Sequence, residues 1–260
     1  MSQYQVSDAA STDLKEIRAM DPFDLPVCAV SIESGYAISV AHKYVELVEA
    51  QFFQAESGMH SSALEEYRRI AKGDETEYQS NVGNVERSFS EDYRPILRST
   101  EVIYLHMIFE TFVSRHIAEL QALRQGNPDV LRELRNQHRC GIASAAALYF
   151  QDDLIWSVLT NDQWDALREA AEVRNCIVHG EGVARASNHP ELIDKLESRE
   201  WQGQGVGIKI YRHDDGRDAG LPIVIHQRFV QYYLSLLERL FNAIAEKTCA
   251  EFWDKKRGSG

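Results

Sequence analysis

Apolar residues recur at helical spacing through most of the chain, and strand-like alternation is confined to one short region. From Ser34 to Ala55 the apolar positions are Ile38, Ala41, Val45, Val48 and Phe52, one face of a helix. A second helix is predicted over Ser62–Lys72. The polar segment GDETEYQSNVGN that follows reads as loop or weak helix, and PFDLPVCAVSI (22–32) reads as a proline-punctuated connector after a polar arm at 1–20. A long apolar helix is predicted from about Glu91 to Gly126. Next comes a short helix in NPDVLRELRNQHRCG, with Asn127 as its N-cap, and then a helix in ASAAALYFQDDLIWSVL. NDQWDALREAAEVRNCIVHG should form a helix from a Thr160/Asn161 cap to Gly180, closed by a left-handed glycine. The pattern then switches. GVGIKIYRHDDGRDAGLPIVI alternates Val206, Ile208 and Ile210 before a DDG turn and resumes at Ile223–Ile225, as a hairpin does. The last helix, about Gln227 to Trp253, carries Phe229, Tyr233, Leu236, Leu237, Leu240 and Ile244 on one stripe. The sum is a mainly α, all-α-class protein: a helical bundle with a small β-hairpin before the last helix and an N-terminal helical extension.

Charge divides the chain unevenly. Of the net −12, residues 1–99 hold 17 acidic and 9 basic side chains, whereas residues 100–260 hold 23 and 19. An acidic region of about 1–89 is therefore expected to precede a helical domain of about 90–256. The overall charge opposes broad electrostatic binding to nucleic acid, but a local basic patch in the second part remains open. Neither a secretory signal nor a membrane-length apolar run is found, so a cytoplasmic protein that does not engage a membrane is expected. The four cysteines, Cys28, Cys140, Cys176 and Cys249, have no CxxC spacing, which points to free thiols and away from a disulfide or zinc framework.

Several motifs fail on inspection. GQGVGIK (203–209) lacks the GK[ST] ending of a phosphate-cradling loop. HDDGRD (213–218) would need a Glu where Ile225 stands to bind calcium. No HExxH or GxSxG occurs, so no metal site and no cofactor is expected. Arg132, Arg135 and Arg139 fall at i, i+3 and i+7 of one predicted helix. They form either a solvated face or a stripe for RNA phosphates.

The segment EVRNCIVHGEG (172–182) stands out. Arg174 shares a stripe with Leu167, Ala171 and Val178, and a guanidinium on an apolar face needs a partner or an opening to solvent. On the long helix before it, Glu110 is the charged member of the stripe Ile103, Met107, Glu110, Ser114 and Ile117. A direct, buried Glu110–Arg174 ion pair is therefore expected. His179 is five residues after Arg174, about 140° around a regular helix, and should project from its last turn.

The string RNCIVHG, with Arg174, polar Asn175, His179 and Gly180 at the end of an amphipathic helix, resembles the RxxxxH motif of the HEPN superfamily (higher eukaryotes and prokaryotes nucleotide-binding domains). That family's compact bundle is similar to residues of about 90–253, and its acidic residue on the preceding long helix fits Glu110. The resemblance implies a metal-independent endoribonuclease of bacterial defence or toxin–antitoxin biology, acting on RNA, working as a homodimer and paired with an antitoxin or defence-system partner. It implies catalytic roles for Arg174, His179 and Asn175, with Glu110 in support. RNA carries its own nucleophile in the 2′-OH. The protein then has to supply proton transfer near neutral pH, which a histidine does, and a fixed positive charge at the phosphate, which an arginine does. The alternative within the same family is a non-catalytic module that binds RNA, a nucleotide or a partner protein.

Overall fold

The computed structural model describes residues 26–72, 74–152, 158–185, 188, 190–197, 205–208 and 221–258. The helices among them are α1 (Pro26–Ala71), α2 (Glu75–Arg87), α3 (Arg94–Arg124), α4 (Val130–His138), α5 (Ile142–Asp152), α6 (Asn161–His179), α7 (Pro190–Glu197) and α8 (Gln227–Gly258). A π-helical turn, Ser88–Tyr93, leads into α3. Three short strands complete the described chain: β1 (Val183–Ala184), β2 (Val206–Ile208) and β3 (Leu221–Ile225). The all-α class read from the sequence is the class observed. The polar arm at 1–20 and the DDG turn of the hairpin lie outside the described residues.

The core forms around α3, whose Val102, Leu105, Phe109, Val113, Ile117 and Leu120 are all buried. That helix packs against α1, α6 and α8. The stripe predicted on α8 is buried throughout, from Phe229 to Ile244. On α6 the buried face runs through Trp164, Leu167, Ala170 and Val173, with the Trp164 ring stacked on Phe150 of α5 at 5.9 Å. Helix α1 joins the same core through Ile38, Ala41 and Val45.

Local expectations and structure differ at several boundaries. Within the span expected to hold a connector and two helices, residues 26–71 are one 46-residue helix, and 22–25 lie outside the described residues. Gly35 and Gly58 each cost about 1 kcal/mol relative to alanine in a helix, a penalty that packing along α1 outweighs. The segment read as loop or weak helix is α2, and Asp74 caps it by accepting from the amides of Thr76 and Glu77. Helix α4 is capped at Asp129, not Asn127. The Asn127 carboxamide instead accepts from the Asp129 amide at 2.9 Å, an Asx turn that delays the helix. The Thr160 cap is present as a full capping box with Gln163.

The predicted pairing of the two strand segments is observed, with Val206 opposite Ile225 and Ile208 opposite Ile223 in antiparallel register. The sheet has a third strand that periodicity did not reveal. β1 pairs with the other side of β3, giving the order β1-β3-β2. Two residues are too few to show alternation, so β1 is recognisable only by its partner. It matters functionally because it ties the end of α6 to β3, which leads directly into α8.

Candidate functional site

The site begins where α6 ends. His179 is the last helical residue and is exposed. Gly180 closes the helix at φ −118°, ψ 13°, so the expected left-handed glycine is not there; positive φ falls on Glu181 (56°) and Gly182 (76°). Glycine is needed at 180 for space. A Cβ there would stand 2.7 Å from the Val183 carbonyl oxygen and 2.8 Å from that of Cys176, both backbone atoms. The amides of Gly180 and Gly182 both donate to the Cys176 carbonyl, and the Ile223 amide donates to the Gly182 carbonyl at 2.8 Å. The turn carrying His179 is thus fastened to the sheet by main-chain bonds.

A cavity of about 220 Å³ opens beside this turn, lined by Asn175, His179, Gly180, Glu181, Val183, Arg185 and Asn188. Arg174 does not line it. Its Nη1 donates to the Asn175 Oδ1 at 3.0 Å, and Asn175 reaches into the cavity. Asn175 therefore links the arginine on one side of α6 to the histidine on the other. This solves a geometric problem, because five residues along a helix separate Arg174 and His179 by about 140°. The Arg174 Nε is buried with no acceptor among the described residues, and Nη2 makes no hydrogen bond among them either.

The expected direct Glu110–Arg174 ion pair is not made; among the described residues no such contact falls within 4 Å. Glu110 Oε1 lies instead 3.3 Å from Nε2 of His106, one turn earlier on α3. The stripes that carry the two charges run along the margin of the core. Met107 is 56% exposed and Val178 43%, and the Glu110 side chain is 35% exposed. A carboxylate that reaches water has no need of a dry ion pair, which is why the sequence argument overstated the case.

His106 is the residue that the pattern concealed. It is buried, and its Nδ1 is 2.8 Å from the hydroxyl of fully buried Tyr233 on α8. Burial lowers its pKa first; the charge of Glu110 opposes that, and the Arg174 guanidinium adds to the lowering. The neutral ring has one consistent arrangement: the Tyr233 hydroxyl donates to Nδ1, and Nε2–H donates to Glu110. Burial likewise raises the Tyr233 phenol, with Glu110 raising and Arg174 lowering it. Glu110 and Arg174 thus act on one neutral His106–Tyr233 dyad from α3 and α6. The i, i+4 spacing of His106 and Glu110 was the signal available in the sequence.

Other expected residues are placed as follows. Arg132 and Arg135 are exposed on α4, with Arg132 paired to Asp129 at 3.0 Å. Arg139 is the helix C-cap at φ 49°, so the three-arginine stripe on one helical face is broken at its last member. None of the three lines the cavity beside His179. Cys176, between Arg174 and His179, is buried, and burial followed by the charge of Glu172 pushes its thiol up to about 11, which disqualifies it as a nucleophile near neutral pH. No group of three or more His, Cys, Asp or Glu that could hold a metal ion occurs among the described residues, and none of their helices is long and apolar enough to cross a membrane. Comparison with protein-family models, curated proteins and solved structures finds no match to the chain.

Proposed function

We propose that this chain is a metal-independent endoribonuclease of HEPN type, with Arg174, Asn175 and His179 as its catalytic set. The observation that carries the reading is the link through Asn175. It is bonded to the Arg174 guanidinium and lines the cavity beside His179, so the carboxamide next to the proton-transfer group is itself fixed by a cation on the neighbouring side of the helix. In the reaction, the 2′-OH of RNA loses its proton to a histidine and attacks the adjacent phosphorus. The bond from phosphorus to the 5′-oxygen breaks, and that oxygen takes up a proton. The products are a 2′,3′-cyclic phosphate and a 5′-hydroxyl. Arg174 stabilises the added charge at phosphorus through Nη2. Glu110, held by His106, lends its negative charge to the placement of that guanidinium.

Base and acid are two roles, and one chain supplies one His179. A homodimer about a twofold axis brings a second motif to the same phosphate. Exposed Met107 on α3 and Val178 on α6 are the apolar residues that such an interface would cover. Defence or toxin–antitoxin biology, in a bacterial cytoplasm and with an antitoxin or defence-system partner, is the context this activity suits. Arg132 and Arg135 are available for contacts to a longer RNA.

The test is incubation of the purified protein with single-stranded RNA in EDTA. Cutting with 2′,3′-cyclic phosphate ends, abolished by His179→Ala and by Arg174→Ala, is the expected result. A requirement for added magnesium, or 5′-phosphate products, overturns it. A second reading, a non-catalytic RNA-binding module, is favoured by the absence of Arg174 from the cavity lining within one chain. RNA held but never cut identifies that case.

A further inference from the structure

The cavity beside His179 holds more polar chemistry than the motif accounts for. Arg185, directly after β1, and Asn188 line it together with Asn175 and His179, although neither belongs to the RxxxxH string. The Asn188 amide donates to the Arg185 carbonyl at 3.0 Å, which ties the two residues together at the cavity. Most other arginines with defined partners are paired to carboxylates: Arg94 with Glu56, Arg98 with Glu49, Arg124 with Glu251 and Arg168 with Asp165. Arg185 is exposed, and among the described residues its guanidinium has no ion pair or hydrogen bond. Glu181 is the acidic member of the lining.

We infer that this cavity is a subsite for one phosphoribose unit of RNA next to the scissile bond, with Arg185 as the residue that anchors its phosphate. This rests on the ribonuclease reading for the word "scissile", and on the cavity itself for the ligand chemistry. A guanidinium flanked by two carboxamides suits phosphate oxygens, because the arginine fork and amide N–H groups are all donors. A carboxylate a short way off suits the other half of the unit, since it accepts from ribose hydroxyls and repels phosphate. Size agrees. At about 220 Å³ the cavity falls below the roughly 300–1,000 Å³ of pockets that enclose a drug-sized ligand. It takes a phosphate and its sugar and leaves the base outside, so the subsite distinguishes RNA from DNA at the 2′-OH without reading sequence.

Arg185→Gln is the informative variant, with Arg185→Lys as the charge-keeping comparison and Arg69→Gln, on the distant end of α1, as the control. With single-stranded RNA as substrate, Arg185→Gln should raise KM roughly tenfold with kcat unchanged, and should lower the slope of log KM against log salt by about one phosphate contact. Arg185→Lys should restore the salt slope, and Arg69→Gln should match wild type. A second arm titrates AMP, followed by the imidazole resonances of His179, and expects binding that Arg185→Gln weakens at least several-fold. If RNA is cut and Arg185→Gln has wild-type KM and salt slope, the subsite assignment is wrong while the ribonuclease reading stands. If RNA is never cut but AMP binds in an Arg185-dependent way, the subsite stands and the ribonuclease reading falls. If RNA is not cut and AMP does not bind, both fall.

Discussion

Glu101 offers a sharp test of the packing around α3. Its residue is 0% exposed, and neither carboxylate oxygen has a hydrogen-bond partner among the described residues. Burial first, and then the charge of Glu49, raise its pKa from 4.5 to about 7 against the opposing charge of Arg98. Glu49 and Arg98 are themselves a pair at 3.1 Å bridging α1 and α3. Below pH 4.5 the folded and unfolded chains both hold this proton. Between 4.5 and about 7 the folded chain keeps a proton that the unfolded chain has released, so stability falls as pH rises. At about 1.36 kcal/mol per pH unit, the full loss is about 3 kcal/mol once the pH exceeds 7. Glu101→Gln keeps the shape and cannot ionise. Urea denaturation of both proteins at pH 5 and pH 8 should therefore show wild type losing about 3 kcal/mol more than the variant across that interval. Adding Glu49→Gln removes the repelling carboxylate and lowers the folded-state pKa of Glu101, so the loss should be smaller and end at lower pH. Parallel pH profiles for wild type and Glu101→Gln would refute the argument and mean that the carboxylate is solvated when ionised.

His116 predicts the opposite sign. Burial, then Arg115, lowers it to about 4, so its contribution is complete above the ordinary value of 6.5 and is lost as pH falls toward 4; His116→Gln should flatten the acid limb of a melting-temperature profile. Gly180→Ala would place a methyl group 2.7 Å from the Val183 carbonyl and should cost about 1–3 kcal/mol in denaturant titration, together with most RNA cleavage; an alanine variant of wild-type stability would mean that the turn yields easily. Tyr233→Phe removes the donor to His106 and should destabilise the fold by about 1–3 kcal/mol. Glu110→Gln, at a partly exposed position, should reduce cleavage while shifting the melting temperature little, and an equal loss of both would show the carboxylate to be structural. Light scattering should report a dimer of about 60 kDa from the 29.6 kDa chain, and a strict monomer in the presence of RNA would count against a composite site.

The sequence by itself determined what depends on neighbours along the chain. Helical periodicity placed the buried stripe of α8 and the buried Ile38, Ala41 and Val45 of α1, because residues three and four apart share a face wherever a helix forms. The cap at Thr160 was legible because its bonding partner, Gln163, is local. Boundaries were less legible. Residues 56–61 read as the gap between two helices, yet α1 runs through them, since burial of Ile38, Ala41 and Val45 is a tertiary gain that propensity does not contain.

Tertiary structure alone decided how the helices are rotated about their axes. A stripe with one charged member says that the charge lies on that face, but not whether the face meets a neighbour or the margin of the core. Glu110 turned out to lie at the margin, and the partner its helix offered was His106, whose own partner Tyr233 is 127 residues away. The same holds for the turn after His179. A two-residue strand acquires meaning only when β3 comes alongside to accept it, and with that pairing Arg185 and Asn188 come to line one cavity with His179. Contacts between segments far apart in the chain depend on the packing of whole elements, and local residue preferences do not encode that arrangement.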